Sequence, residues 1–157
     1  MPTELREQVP LMKQVLEAMG GKIAEQEGYE ADDILGTLAR RGEREGRDVT
    51  IVSGDRDLLQ LATDHTRIRI PKTKRTGTEI EDYYARDVVE KYQVTPREFI
   101  DVKALMGDSS DNIPGVPGIG EKTATSLIVT YKTIENAYAH IDEVRPPRAQ
   151  NALREHY

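Results

Sequence analysis

Gly107-Asp108-Ser109-Ser110-Asp111-Asn112-Ile113-Pro114-Gly115-Val116-Pro117-Gly118-Ile119-Gly120-Glu121-Lys122-Thr123-Ala124 sets two kinds of chemistry side by side. Asp108 and Asp111 are three apart, a spacing that puts both carboxylates on one face if the segment opens a helical turn, where they could share a cation. Pro114, Gly115, Pro117, Gly118 and Gly120 then set a rigid turn, and Glu121-Lys122-Thr123-Ala124 opens an apolar helical pattern through Leu127, Ile128 and Tyr131. A glycine-rich loop feeding a helix N-terminus presents free N–H groups and the positive end of the helix dipole. Both bind phosphate oxygens without reading base sequence. An acid pair beside a phosphate cradle points to phosphodiester chemistry. A plain helix-helix connection would also accommodate the loop, but it does not require Pro-Gly-x-Pro-Gly-x-Gly-x-Lys.

The 157 residues suit one domain or a small two-part unit. With no Cys, disulfides and thiolate-held zinc are excluded, and His65, His140 and His156 are scattered, so any metal must be held by oxygen. No apolar run approaches the ~20 residues of a membrane span, and Met1-Pro2-Thr3-Glu4-Leu5-Arg6 lacks the build of a signal peptide, so a cytoplasmic chain is expected. The formal net charge of −6 runs against a nucleic-acid partner. Setting aside the seven acids Glu30, Asp32, Asp33, Asp55, Asp57, Asp108 and Asp111 leaves one positive charge, so cations held there would give a surface that is not acidic.

Upstream of the quoted stretch, Leu5, Val9, Leu11, Met12, Val15, Leu16 and Met19 predict a helix over 3–19 that stops at Gly20-Gly21, with Pro10 at its regular start or as a kink. Lys22 to Glu25 reads as a short strand. Asp32 and Asp33 fall in the first turn of a helix through Ile34, Leu35 and Leu38, where acids also serve as caps. The β-branched run Asp48 to Ser53 predicts a buried parallel strand, and Gly54-Asp55-Arg56-Asp57 follows it. Ligands of open α/β sheets bind at strand C-terminal ends, which favours Asp55 and Asp57 for chemistry. A helix is expected over Leu58 to Ala62. Arg67 to Pro71 and Thr78 to Glu81 form an expected edge hairpin carrying Arg67, Arg69, Lys72, Lys74 and Arg75, a basic set that can equally guard a sheet edge.

Beyond the hairpin the pattern is helical. A short helix is expected over Asp87 to Tyr92. Thr95-Pro96-Arg97-Glu98 is a capping box with Pro at the first helical position, predicting a helix from Pro96 to Met106 that stops at Gly107. Helices over Ile134 to Ile141 and Arg148 to Tyr157 complete the chain.

Gly28-Tyr29-Glu30-Ala31-Asp32-Asp33, then Ser53-Gly54-Asp55-Arg56-Asp57-Leu58-Leu59-Gln60, then the Gly107–Ala124 stretch resemble, in order, the acidic motifs and helix-hairpin-helix element of the 5′ nuclease (flap endonuclease) superfamily, in particular the 5′→3′ exonuclease domain of bacterial DNA polymerases. The resemblance implies an α/β fold: a partial PIN-like (resolvase-like) parallel sheet over 1–93, followed by a helical helix-hairpin-helix subdomain over 94–157. It implies a metal-dependent nuclease that cuts DNA flaps and 5′ ends in primer removal and repair. Glu30, Asp32 and Asp33 would serve one Mg²⁺ or Mn²⁺ ion and Asp55, Asp57, Asp108 and Asp111 a second. Gly115, Gly118, Gly120, Lys122 and Thr123 would lie near the DNA backbone, with a monovalent cation at that loop. In the family a strand ending in a metal-binding Asp and a basic arch precede the part that begins here. The expectation is therefore a fragment, weak or inactive alone, whose sheet another chain or a dimer partner completes. Two other readings are a DNA-binding module whose acids are structural and a phosphotransfer enzyme with Asp55 as nucleophile, although Asp55-Arg56-Asp57-Leu58-Leu59 lacks the small residues such a nucleophile needs.

Overall fold

The structure, a computed structural model, describes residues 3–74, 77–109 and 111–156. The chain folds as two compact units, Met1–Leu38 and Ala39–Tyr157. In the first, α1 (Thr3–Ala18) forms with Pro10 inside it and contains no buried residue among those described. Gly20 closes it in the left-handed region, at φ 86°. Lys22 to Glu25 pairs with no strand among the described residues, so the short strand expected there does not form. The helix α2 (Ala31–Arg44) follows, with Asp32 and Asp33 in its first turn and Arg41 and Arg44 in its last, each suited to the dipole.

In the second unit, β1 (Val49–Val52) pairs in parallel with β2 (Thr66–Lys74), which pairs antiparallel with β3 (Gly77–Tyr83) in the order β1-β2-β3. The sheet is thus mixed, parallel on one side only. Period two is plain in β2, where Thr66, Ile68 and Ile70 are buried and Arg67 and Arg69 alternate with them. The expected burial of β1 holds for Ile51 alone; Val52 is 61% exposed, because β1 lies at a sheet edge and only one of its faces meets the core. The hairpin cations are largely consumed across the strands: Arg69 makes two 2.8 Å contacts to Asp82, Arg67 approaches the same carboxylate, Lys72 reaches Glu81 and Lys74 reaches Glu79. Arg75 lies outside the described residues.

The helix expected over Leu58 to Ala62 forms as a 3-10 helix, Asp57–Leu61, and buries Leu58 and Leu59. Then come α3 (Ala85–Tyr92), α4 (Pro96–Met106), α5 (Glu121–Tyr131), α6 (Ile134–Ala139) and α7 (Pro147–Glu155). The capping box forms as its spacing dictates: Thr95 Oγ1 accepts from the Glu98 N–H at 3.2 Å, and Glu98 Oε2 accepts from the Thr95 N–H at 2.8 Å. α4 presents Phe99, Val102 and Leu105 to the core, and it packs on both the 3-10 helix and α5, which contributes Ala124, Leu127 and Ile128. The end of β1 and the end of α4 are thereby brought together. Among the described residues, no helix is long and apolar enough to cross a membrane.

Candidate functional site

Where β1 ends, two local hydrogen bonds steer the chain into the 3-10 helix. The Asp55 N–H donates to Ser53 Oγ at 3.1 Å, and the Asp57 N–H donates to Asp55 Oδ1 at 2.8 Å. Asp57 therefore stands at the first position of a turn whose next two residues, Leu58 and Leu59, are fixed in the core.

The second arm is the loop after α4. Asp108 and Ile113 exchange both backbone hydrogen bonds at 2.8 Å, which ties the start of the acid loop to its end. Asn112 takes a left-handed conformation there, at φ 57°. Gly115 (φ 59°) seats this loop: a Cβ there would fall 2.4 Å from the Gly107 nitrogen and 2.6 Å from the Met106 carbonyl carbon. Gly115 accordingly holds the loop against α4.

Asp57, Asp108 and Asp111 each offer a carboxylate oxygen, and these oxygens lie within 4.8 Å of one another. Ligand distances of roughly 2.1–2.5 Å put oxygens on opposite sides of a hard divalent ion ~4–5 Å apart, so the three could hold one. The donor set is all oxygen, as Mg²⁺ or Mn²⁺ prefers.

A cation already lies among them. Lys103, near the end of α4, has its Nζ 3.0 Å from Asp57 Oδ1 and also donates to Asp108 Oδ2. Burial disfavours its charge, but the bonds to Asp108 and Asp57 prevail and raise its pKa above the ordinary 10.5. Three carboxylates less one ammonium leave two negative charges, the complement of one divalent ion. Lys103 was not singled out from sequence; its signal was a basic residue in the last turn of a helix running straight into the acid loop.

Asp55 stands outside that group of three, one of its oxygens engaged by the Asp57 amide. Glu30, Asp32 and Asp33 belong to the first unit. Asp33 Oδ2 accepts from the Glu30 N–H at 3.1 Å, a helix-capping arrangement.

The glycine-rich loop is tied to α4 by the Val116 N–H donating to the Leu105 carbonyl at 2.8 Å, and it is anchored by buried Ile119. Gly118 (φ 86°) is exposed, and Gly120 occupies the N-cap of α5 with open space where a Cβ would stand. The Gly120 carbonyl accepts from the Thr123 and Ala124 amides, while the leading amides of α5 have no intrahelical acceptor. Lys122 is exposed beside them and Thr123 is half-buried. Arg148 of α7 also stands at this loop, its guanidinium nitrogens 3.8 Å from a Cβ built on Gly118. Separated from the loop by some thirty positions of sequence, it could not be assigned from the motif alone.

The sequence is 52% identical to DNA polymerase I of Bacillus caldotenax over 155 residues, 99% of this chain and 17% of that protein. The chain therefore spans about a sixth of the curated relatives it matches. Among solved structures, a bacteriophage T5 protein co-crystallised with metal ions superposes with a TM-score of 0.74 at 27% identity, over 99% of this chain and 59% of that one. A T5 flap endonuclease in a pseudo-enzyme-product complex with DNA and metal ions superposes with a TM-score of 0.69 at 25% identity, over 98% of this chain and 56% of that one. Residues 1–93 match the model of the 5′-3′ exonuclease N-terminal resolvase-like domain and residues 94–157 that of the 5′-3′ exonuclease C-terminal SAM fold, and the chain belongs to the 5′-3′ exonuclease family.

Proposed function

We propose that this chain is the metal-holding and strand-gripping part of a nuclease that hydrolyses DNA phosphodiesters at 5′ ends and flaps. The observation that carries the reading is the convergence of Asp57, Asp108 and Asp111 oxygens within 4.8 Å. These three would hold a divalent ion, Mg²⁺ or Mn²⁺, with Asp55 close by in sequence and Glu30, Asp32 and Asp33 as the acids of a second group. When bound, such an ion supplies charge neutralisation at the phosphate and activation of water. Lys103 holds the Asp57 and Asp108 carboxylates in place and offsets part of their repulsion. The exposed loop at Gly118 and Gly120, with Gly115 seating it and Lys122 and Thr123 opening α5, would grip the strand by its phosphates. That fixes position without reading sequence. The domains at 1–93 and 94–157 divide the work accordingly, acids mainly in the first and strand contact in the second. A cytoplasmic location suits such an enzyme. T5 proteins of the same fold hold metal ions and DNA, which supports the reading.

The test is Mn²⁺ calorimetry on the chain and on Asp57→Asn and Asp111→Asn, together with cleavage of a 5′-flap DNA in Mg²⁺. The proposal expects Mn²⁺ heat that either substitution abolishes. A chain that binds DNA with no metal heat would instead be a DNA-binding module whose acids are structural.

A further inference from the structure

Arg56 stands in sequence between Asp55 and Asp57, and its side chain reaches out of their turn to two other elements. Its Nη1 donates to the Tyr92 hydroxyl of α3 at 2.6 Å and its Nη2 to Glu81 Oε2 of β3 at 3.1 Å. Tyr92 is held edge to face against Phe99 of α4, with ring centroids 5.2 Å apart. Glu81 is held by Lys72 Nζ at 2.6 Å, the Tyr83 hydroxyl at 2.6 Å and Lys91 Nζ at 3.3 Å. Both acceptors are thus anchored independently of Arg56.

The turn needs such a tie. The Ser53 N–H donates to the Arg69 carbonyl at 3.1 Å, where β1 leaves β2, and Leu58 is the next buried residue. Between them the Asp55 and Asp57 amides bond inside the turn, to Ser53 Oγ and Asp55 Oδ1. Internal bonds shape a turn and do not place it. The Arg56 fork does, because two donors of fixed separation meet acceptors on two different elements. The Arg56 carbonyl is also the first acceptor of the 3-10 helix, taking the Leu59 N–H at 3.0 Å. A residue clamped by its side chain therefore sets the start of the helix that carries Asp57.

We propose that Arg56 is a positioning residue for the metal group: through Glu81 and Tyr92 it fixes the turn that aims the Asp57 carboxylate at Asp108 and Asp111. The inference rests on the metal reading above and extends it to β3 and α3, which carry none of the metal-group acids. Its effect has the opposite sign to that of charge. A guanidinium one residue from Asp57 repels a divalent ion, so its removal should tighten metal binding by Coulomb's law alone. Loss of a positioning contact should weaken it.

The experiment measures Mn²⁺ affinity by calorimetry, and amide hydrogen exchange in EDTA, on the full chain and on Arg56→Met, Arg56→Lys and Tyr92→Phe. Arg56→Met should weaken Mn²⁺ binding about tenfold. Arg56→Lys should weaken it by a similar factor, because lysine keeps the charge and lacks the two-pronged donor. Tyr92→Phe removes the acceptor hydroxyl and keeps the ring, and it should act in the same direction by less. Leu153→Ala removes a wholly buried side chain of α7, outside this network, so it lowers stability and should leave Mn²⁺ affinity unchanged. In EDTA the Leu59 amide should exchange about tenfold faster in Arg56→Met, relative to the Ile128 amide of α5. Unchanged or tighter Mn²⁺ binding in Arg56→Met overturns the proposal, and so does an unchanged ratio of Leu59 to Ile128 exchange. Should Arg56→Met not fold, Tyr92→Phe carries both readouts. A parent chain without Mn²⁺ heat would sink the metal reading, and the exchange ratio would then decide separately whether Arg56 fixes the turn.

Discussion

The Lys103 ammonium lies 3.0 Å from the Asp57 carboxylate, joining the end of α4 to the turn that follows β1. It bonds Asp108 as well, so it occupies the space between two acids that would otherwise repel. The three side chains keep between 16% and 26% of their exposure, so the arrangement is neither fully buried nor free in solvent.

Lys103→Met should therefore act with opposite sign on two measurements. Without metal, uncompensated carboxylates should lower stability by about 2 kcal/mol, less than the ~3–5 kcal/mol of a fully buried pair. With Mn²⁺ the loss should be largely recovered, since the ion supplies the missing charge, and the variant's melting temperature should rise more with Mn²⁺ than the parent's. Thermal unfolding with and without Mn²⁺ checks both. An equal metal-induced shift in parent and variant would contradict a shared role for Lys103 and the ion.

Gly115 and Gly120 look alike in sequence and should differ sharply on substitution. Gly115→Ala forces an L residue to φ 59° and drives a Cβ to 2.4 Å from the Gly107 nitrogen. A cost of about 2–4 kcal/mol is expected, with loss of the loop that presents Asp108 and Asp111. Gly120→Ala has φ −97° and open space, so stability should change by less than ~1 kcal/mol. Urea unfolding of the two variants separates them.

The contrast between these glycines bears on how much of the molecule was legible beforehand. Helix α4 was readable to the residue because Thr95, Pro96, Glu98 and Gly107 are local signals whose geometry does not depend on the rest of the fold. The approach of Asp57 to Asp111 was not, since it depends on α4 packing on the 3-10 helix, a contact no spacing encodes. Family resemblance supplied that grouping. The strand expected at Lys22 does not form, since no strand pairs with it among the described residues. Arg148 is illegible as a lone cation far in sequence from the loop it meets, whereas Lys103 carries a local signal in its place at the end of the helix that runs into the acid loop.

Acid should destabilise the second unit through Glu81. The Lys72 ammonium first, then the Tyr83 hydroxyl and Lys91, hold its carboxyl far below the ordinary 4.5. The folded-state pKa lies below the unfolded one, so the unfolded chain binds the proton more tightly. The stabilisation is complete above about pH 4.5 and is lost as pH falls toward the folded-state value. Asp82, lowered by Arg69, acts in the same direction, whereas burial raises Asp101 and gives it the opposite sign. Glu81→Gln should flatten the loss below pH 4.5 in urea midpoints. A parent and variant with parallel profiles would refute the assignment.

The loop at Gly118 should grip DNA through charge as well as amides. Lys122 is exposed at the start of α5, and Arg148 stands against Gly118 from α7, so two cations flank the exposed glycines. If each neutralises about one phosphate, removing either should lower the slope of log K against log salt by ~1, with the same loss for unrelated DNA sequences. Lys122→Ala and Arg148→Ala should each weaken binding, and the double variant should lower the slope by ~2. Fluorescence anisotropy with two labelled duplexes of different sequence, across a salt series and with metal chelated, makes the measurement. A loss confined to one duplex would mean base contact in place of backbone contact, and an unchanged slope in Arg148→Ala would leave Lys122 as the loop's sole electrostatic contact of the two.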